Sequence, residues 1–143
     1  MRRPLVFLLL IAVFALAVCG CGGRGKNPAS IVESWSRAIN TSDDEAAADL
    51  FADNSTVIQN GQRIRLASHD EALLFNASLP CGGRIIGQLR SGDEITATFT
   101  LTRRPGHICG GTGRTAVAVF RIAEGKIVVW HQLPTPEPDS QSA

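Results

Sequence analysis

The 143-residue chain is 44% hydrophobic and 19% charged, which supports one hydrophobic core and leaves no room for a second domain. Its 14 basic and 13 acidic side chains are spread along the sequence and leave a net charge of +1. That balance provides no long-range field for a polyanion, so nucleic acid is not expected as a partner.

Arg2 and Arg3 form a basic start, and Leu5 to Val18 is an apolar run too short to span a bilayer as a helix, the pattern of an export signal. The run closes on Val18-Cys19-Gly20-Cys21, which resembles a bacterial lipobox with Cys19 at a position where a small or β-branched residue is more usual. The resemblance implies a lipoprotein signal peptide over residues 1–20 and a palmitate-type acylation of Cys21. Two or more acyl chains anchor a protein stably, where one gives only marginal binding. The expected location is therefore the extracytoplasmic face of a bacterial cell membrane, with membrane lipid as a partner through Cys21. Residues 21–27 read as a flexible tether, and its cations Arg24 and Lys26 suit anionic headgroups. The alternatives are an ordinary secretory signal cut near Gly20 to Gly23, or an uncut membrane helix.

Residues 28–134 read as the folded domain. Asn27-Pro28 is a helix start, followed by Ile31, Val32, Trp35, Ala38 and Ile39 on one stripe. Ser42 to Glu45 fits a capping box for a second helix, with Ala46, Ala47, Leu50 and Phe51 as its buried face. Its acidic first turn suits the helix dipole better than a metal, and no metal or cofactor is expected. Strands over 55–60 and 62–66 flank Asn60-Gly61, a two-residue hairpin turn. Ser68 to Glu71 is a second capping box, with Ala72, Leu73, Phe75 and Leu79 on an apolar side before Pro80.

Strands are expected over 84–90 and 94–103, turning at Ser91-Gly92-Asp93. In the second of these, Ile95, Ala97, Phe99 and Leu101 alternate with Thr96, Thr98, Thr100 and Thr102, so one face is core. A Gly-rich loop leads to a last hairpin over 115–133 that turns at Ala123-Glu124-Gly125, and 135–143 reads as a disordered tail. Sequons at Asn40, Asn54 and Asn76 read as chance occurrences in a bacterial protein.

This order predicts an α+β domain with helices laid across one face of a curved, mainly antiparallel sheet; a pure β-sandwich is the alternative. The segments Ile31-Val-Glu-Ser-Trp-Ser-Arg-Ala-Ile-Asn40, Asp49-Leu-Phe-Ala-Asp-Asn-Ser-Thr-Val57 and Val119-Phe-Arg-Ile, with Gly125-Lys-Ile-Val, resemble those of the nuclear transport factor 2-like superfamily. The likeness is to its SnoaL-like and ketosteroid-isomerase branch, and implies the cone-shaped, cystatin-like fold. It also shows what is missing for steroid isomerisation. The catalytic base falls on Gln59, and the two oxyanion donors fall on Trp35 and Ala118. Gln59 cannot abstract a proton, and Ala118 has nothing to donate.

With the lipobox set aside, Cys81 and Cys109 remain, and an exported chain meets oxidising conditions. A turn at Gly92 places the start of one strand, near Cys81, beside the end of the next, so a disulfide is expected, worth about 3–4 kcal/mol in the chain-entropy model. The histidines His69, His107 and His131 form no motif, and alternation places His131 on the outer face with Trp130 inside.

The interior set includes Trp35, Gln59, Phe99, Phe120, Trp130 and Gln132, which line a ligand cavity in one reading and form a filled core in the other. The outer Thr stripe with Val117, Val119, Val129, His131 and Leu133 is apolar for a solvated face, and a homodimer is expected through it. Three functions remain open. The first is an anchored, non-catalytic module binding a small apolar ligand or a partner protein's side chain. The second is a SnoaL-like isomerase or cyclase type of enzyme working through Gln59, Gln132, Asp49 or His107. The third is an interaction domain that uses only its outer surface.

Overall fold

The computed structural model describes residues 25–135, so the expected signal segment, the expected acylation at Cys21 and tail residues 136–143 lie outside the described residues. The elements follow as α1 (Pro28–Asn40), α2 (Asp44–Ala48), β1 (Phe51–Gln59), β2 (Gln62–Leu66), α3 (His69–Ser78), β3 (Gly82–Ser91), β4 (Glu94–Thr102), β5 (Thr115–Ala123) and β6 (Lys126–Leu133).

The Asn27 side chain accepts from the Ala29 N–H at 3.2 Å, and α1 buries the expected stripe from Ile31 to Ile39. The second helix departs from expectation. Its cap is Asp43, whose carboxylate accepts from the Ala46 N–H at 3.0 Å, whereas Ser42 sits at φ 56° and donates its hydroxyl to the Pro105 carbonyl at 2.7 Å. The helix ends at Ala48, and Phe51 opens β1 instead of completing an apolar helix face, because pairing with Ile127 of β6 takes up the backbone there. On α3, Ser68 Oγ accepts from the Glu71 N–H at 3.4 Å, while the Glu71 carboxylate reaches back to the Ala67 N–H at 2.6 Å.

The six strands form one sheet in the order β2-β1-β6-β5-β4-β3. All neighbours are antiparallel except β1 and β6, which run parallel. The β1–β2 turn has both central residues at positive φ, Asn60 at 51° and Gly61 at 75°, as a two-residue hairpin turn requires. Register shifts interrupt the β1–β6, β3–β4 and β5–β6 ladders, and such bulges bend and twist a sheet, here around the helices.

The concave face carries Ile95, Ala97, Phe99, Ala118, Phe120 and Trp130, all buried, and α1 lies across it. His131 is half-buried on the opposite face, as the alternation indicates. Every buried member of the core cluster lies between Ile31 and Trp130, so residues 25–135 contain a complete core of their own.

Two polar braces join the layers. Asn40 on α1 accepts from the Gly83 N–H at 2.9 Å and donates to the Gly83 carbonyl at 3.0 Å, which fixes the helix to the first residues of β3. Gly82 must be glycine for that approach: a Cβ there would stand 2.3 Å from Asn40 Oδ1 and 2.8 Å from Thr102 Oγ1.

Arg104, 3% exposed, is the other brace. Its guanidinium donates to the carbonyls of Asn76 and Leu79, each at 3.0 Å, to Ser42 Oγ at 3.1 Å and to the Asp44 carboxylate. One buried cation thus joins the α1–α2 corner, the end of α3 and the chain leaving β4. Removing one partner of such a pair strands the rest in a dry site. Arg104→Ala should therefore destabilise residues 25–135 by about 3–5 kcal/mol in urea denaturation. A loss below about 1 kcal/mol, the size of an exposed pair, would contradict this role.

Candidate functional site

At one end of the sheet, β1, β4 and β6 finish while β3 and β5 begin. A cavity of about 160 Å³ lies there between the sheet and α1. Trp35, Phe99, Ala118 and Trp130 contribute to its walls, Gln59 and Gln132 stand on one side, and Pro80, Cys81 and Gly82 on the other.

Trp35 is fixed from several directions. Its ring meets Phe120 edge-on with centroids 5.2 Å apart and Phe99 at 6.1 Å, and its Nε1–H donates to Asn76 Oδ1 at 2.8 Å. Asn76 is itself fully buried and donates to the Ala72 carbonyl at 2.8 Å. Phe120, expected among the ligand-contacting residues, does not line the cavity. It is 0% exposed and packs behind Trp35 as core. The other five residues of that set, Trp35, Gln59, Phe99, Trp130 and Gln132, are all brought to the cavity.

Trp130 is 4% exposed and packs against Phe75 at 5.2 Å, yet its Nε1–H has no hydrogen-bond partner. Ser55 Oγ, buried on β1, is also without one. Gln59 and Gln132 meet across the ends of the parallel strands, with Gln59 Nε2 donating to Gln132 Oε1 at 2.8 Å. None of the lining residues can ionise, because Cys81 is bonded to Cys109 and every other lining side chain is neutral.

The disulfide closes as the strand register anticipates. Gly82 pairs with Thr102, and the sulfurs of Cys81 and Cys109 are bonded with Cα atoms 4.8 Å apart. This ties the 103–114 loop to the start of β3 at the cavity's edge.

The positions matched to the isomerase's catalytic groups, Trp35, Gln59 and Ala118, all reach the cavity. Their chemistry is different: the Trp35 N–H is engaged by Asn76, and neither Gln59 nor Ala118 can carry a proton. The further candidates do not join them. Asp49 lies at the opposite end of the sheet, 3.0 Å from His69 Nε2, and His107 belongs to the disulfide-tied loop without lining the cavity. Among the described residues, no group of three or more His, Cys, Asp and Glu side chains is placed to hold a metal.

Asn76 was not evident as a site residue, although its position provides a signal. It follows Ala72 by four residues and precedes Leu79 by three, so it interrupts the apolar side of α3 where a buried polar group needs a partner.

No protein-family model matches the chain, and no curated protein does either. Solved structures do. An NTF2-like protein from Cytophaga hutchinsonii superposes with a TM-score of 0.63 at 14% identity, covering 78% of this chain and 93% of that one. A candidate polyketide cyclase from Sinorhizobium meliloti matches at TM-score 0.59 and 18% identity, covering 73% and 94%. A protein with a ketosteroid isomerase-like fold from Catenulispora acidiphila, solved with trimethylamine, matches at TM-score 0.59 and 18% identity, covering 74% and 85%. These likenesses establish the architecture: residues 25–135 have the NTF2-like, cystatin-like α+β cone fold.

Proposed function

We propose that this chain is a membrane-anchored, extracytoplasmic binding module that holds a small, neutral, mainly apolar molecule, or a partner protein's side chain, in its cone without transforming it. The observation that carries the proposal is an apolar cavity of about 160 Å³ whose lining side chains are all neutral and whose polar contribution comes from the Gln59–Gln132 pair. An enzyme of the cyclase or isomerase type shares this architecture, but it would need a proton-transfer group that the lining side chains do not supply.

The anchoring reading is supported by the apolar run before Cys21 and by the Cys81–Cys109 bridge, which suits an oxidising compartment. Among the described residues, no helix is long and apolar enough to cross a membrane. Geometry adds a further support. Gly25, Lys26 and Pro28 lie beside Asp49, Leu50 and the β5–β6 turn, at the opposite end of β6 from Gln132 and the cavity. An acyl group at Cys21 would hold the domain by that end and leave the cavity facing the aqueous phase. We also expect the half-buried outer face, with Val119, Val129 and His131, to pair two copies.

Native mass spectrometry of residues 25–135 tests both parts. A dimer carrying a reproducible small-molecule mass is expected, with that mass absent from Ala118→Leu, which fills the cavity. A bare protein in both forms would count against the ligand, and a monomer against the pairing.

A further inference from the structure

The cavity's one pair of polar side chains specifies the polar end of the molecule it takes. We infer that Gln59 and Gln132 together dock a planar amide, so that the ligand is a neutral carboxamide or lactam built on a single ring; this rests on the cavity reading above. The hydrogen bond between the two side chains uses one N–H of Gln59 and one lone pair of Gln132 and holds the two amides together. Gln59 Oε1 and Gln132 Nε2 remain without partners among the described residues, one an acceptor and the other a donor. Reversing both amides would exchange which residue gives and which takes, and would leave the same outward pair.

A carboxamide presents C=O and N–H on adjacent atoms of one plane and satisfies both groups at once. A ketone or ether satisfies only the donor. A carboxylate offers acceptors alone and brings a charge against walls that contain no cation, and an ammonium group has the converse fault. The size of the apolar body follows from the volume: about 160 Å³ is close to the ~150 Å³ apolar cavity known to take benzene.

Protein-observed NMR titration of residues 25–135, which contain their whole core, provides the test with toluene, acetophenone, benzamide and benzoate as probes. Benzamide should bind at least about tenfold more tightly than acetophenone or benzoate, one additional hydrogen bond's worth. Its affinity should be flat between about pH 5 and pH 9, because neither the walls nor the probe titrates there. The double variant Gln59→Leu/Gln132→Leu should lose that preference and still bind toluene, which also reports that its cavity is intact. Equal binding of benzamide and acetophenone, tighter binding of benzoate, or a preference that survives the double variant would overturn the amide assignment while leaving the cavity reading standing. Failure of every probe to bind would overturn both.

Discussion

The hydrogen bond from Trp35 to Asn76 is the constraint on which the interior depends. It joins α1 to α3 inside an otherwise apolar space, where an indole N–H without a partner would cost more than the bond itself contributes. The same asparagine passes its backbone carbonyl to Arg104, which is in turn ion-paired with Asp44 at the start of α2. The three helices are thus positioned by one continuous buried polar chain, and the hydrophobic surfaces fill in around it. Such a network rigidifies a core when every member is satisfied, and each member of that chain has its partner.

That constraint also accounts for the cavity. A tryptophan free to rotate would fall into an adjacent void, because unfilled space forfeits dispersion contacts. Trp35 is held by Asn76 on one side and by the edges of Phe99 and Phe120 on another, so the space beside it stays open. The opposite margin is held by the Asn40–Gly83 hydrogen bonds and the Cys81–Cys109 bridge, which prevent β3 and the 103–114 loop from closing inward. Stability and openness therefore have the same structural origin.

Much of this was legible in the sequence wherever the signal was local. Alternation along β4, the Asn60-Gly61 turn, the caps of α1 and α3 and the inward orientation of Trp130 all depend on neighbours a few residues away. The disulfide was readable one step further, since strand register follows from a turn. Other features depend on contacts far apart in the chain. The parallel β1–β6 pairing, the diversion of Phe51 into a strand and the burial of Arg104 leave no periodic trace. Phe120 and Phe99 both belong to inward rows, and only the three-dimensional position of α1 decides that one faces the cavity and the other lies behind Trp35. Asn76 was readable in principle, as a polar residue set within an apolar stripe.

The proposed binding role draws on a cavity whose lining side chains are all neutral and on a hydrogen-bonded pair of glutamines at its edge. The claim underlying every functional statement is that this chamber is open and apolar. A crystal structure of residues 25–135 under xenon pressure tests it most directly, because xenon enters dry apolar cavities of this size. The account predicts xenon bound beside Trp35, Phe99, Ala118 and Trp130. A structure in which those side chains meet and admit no xenon would mean that the cone is filled.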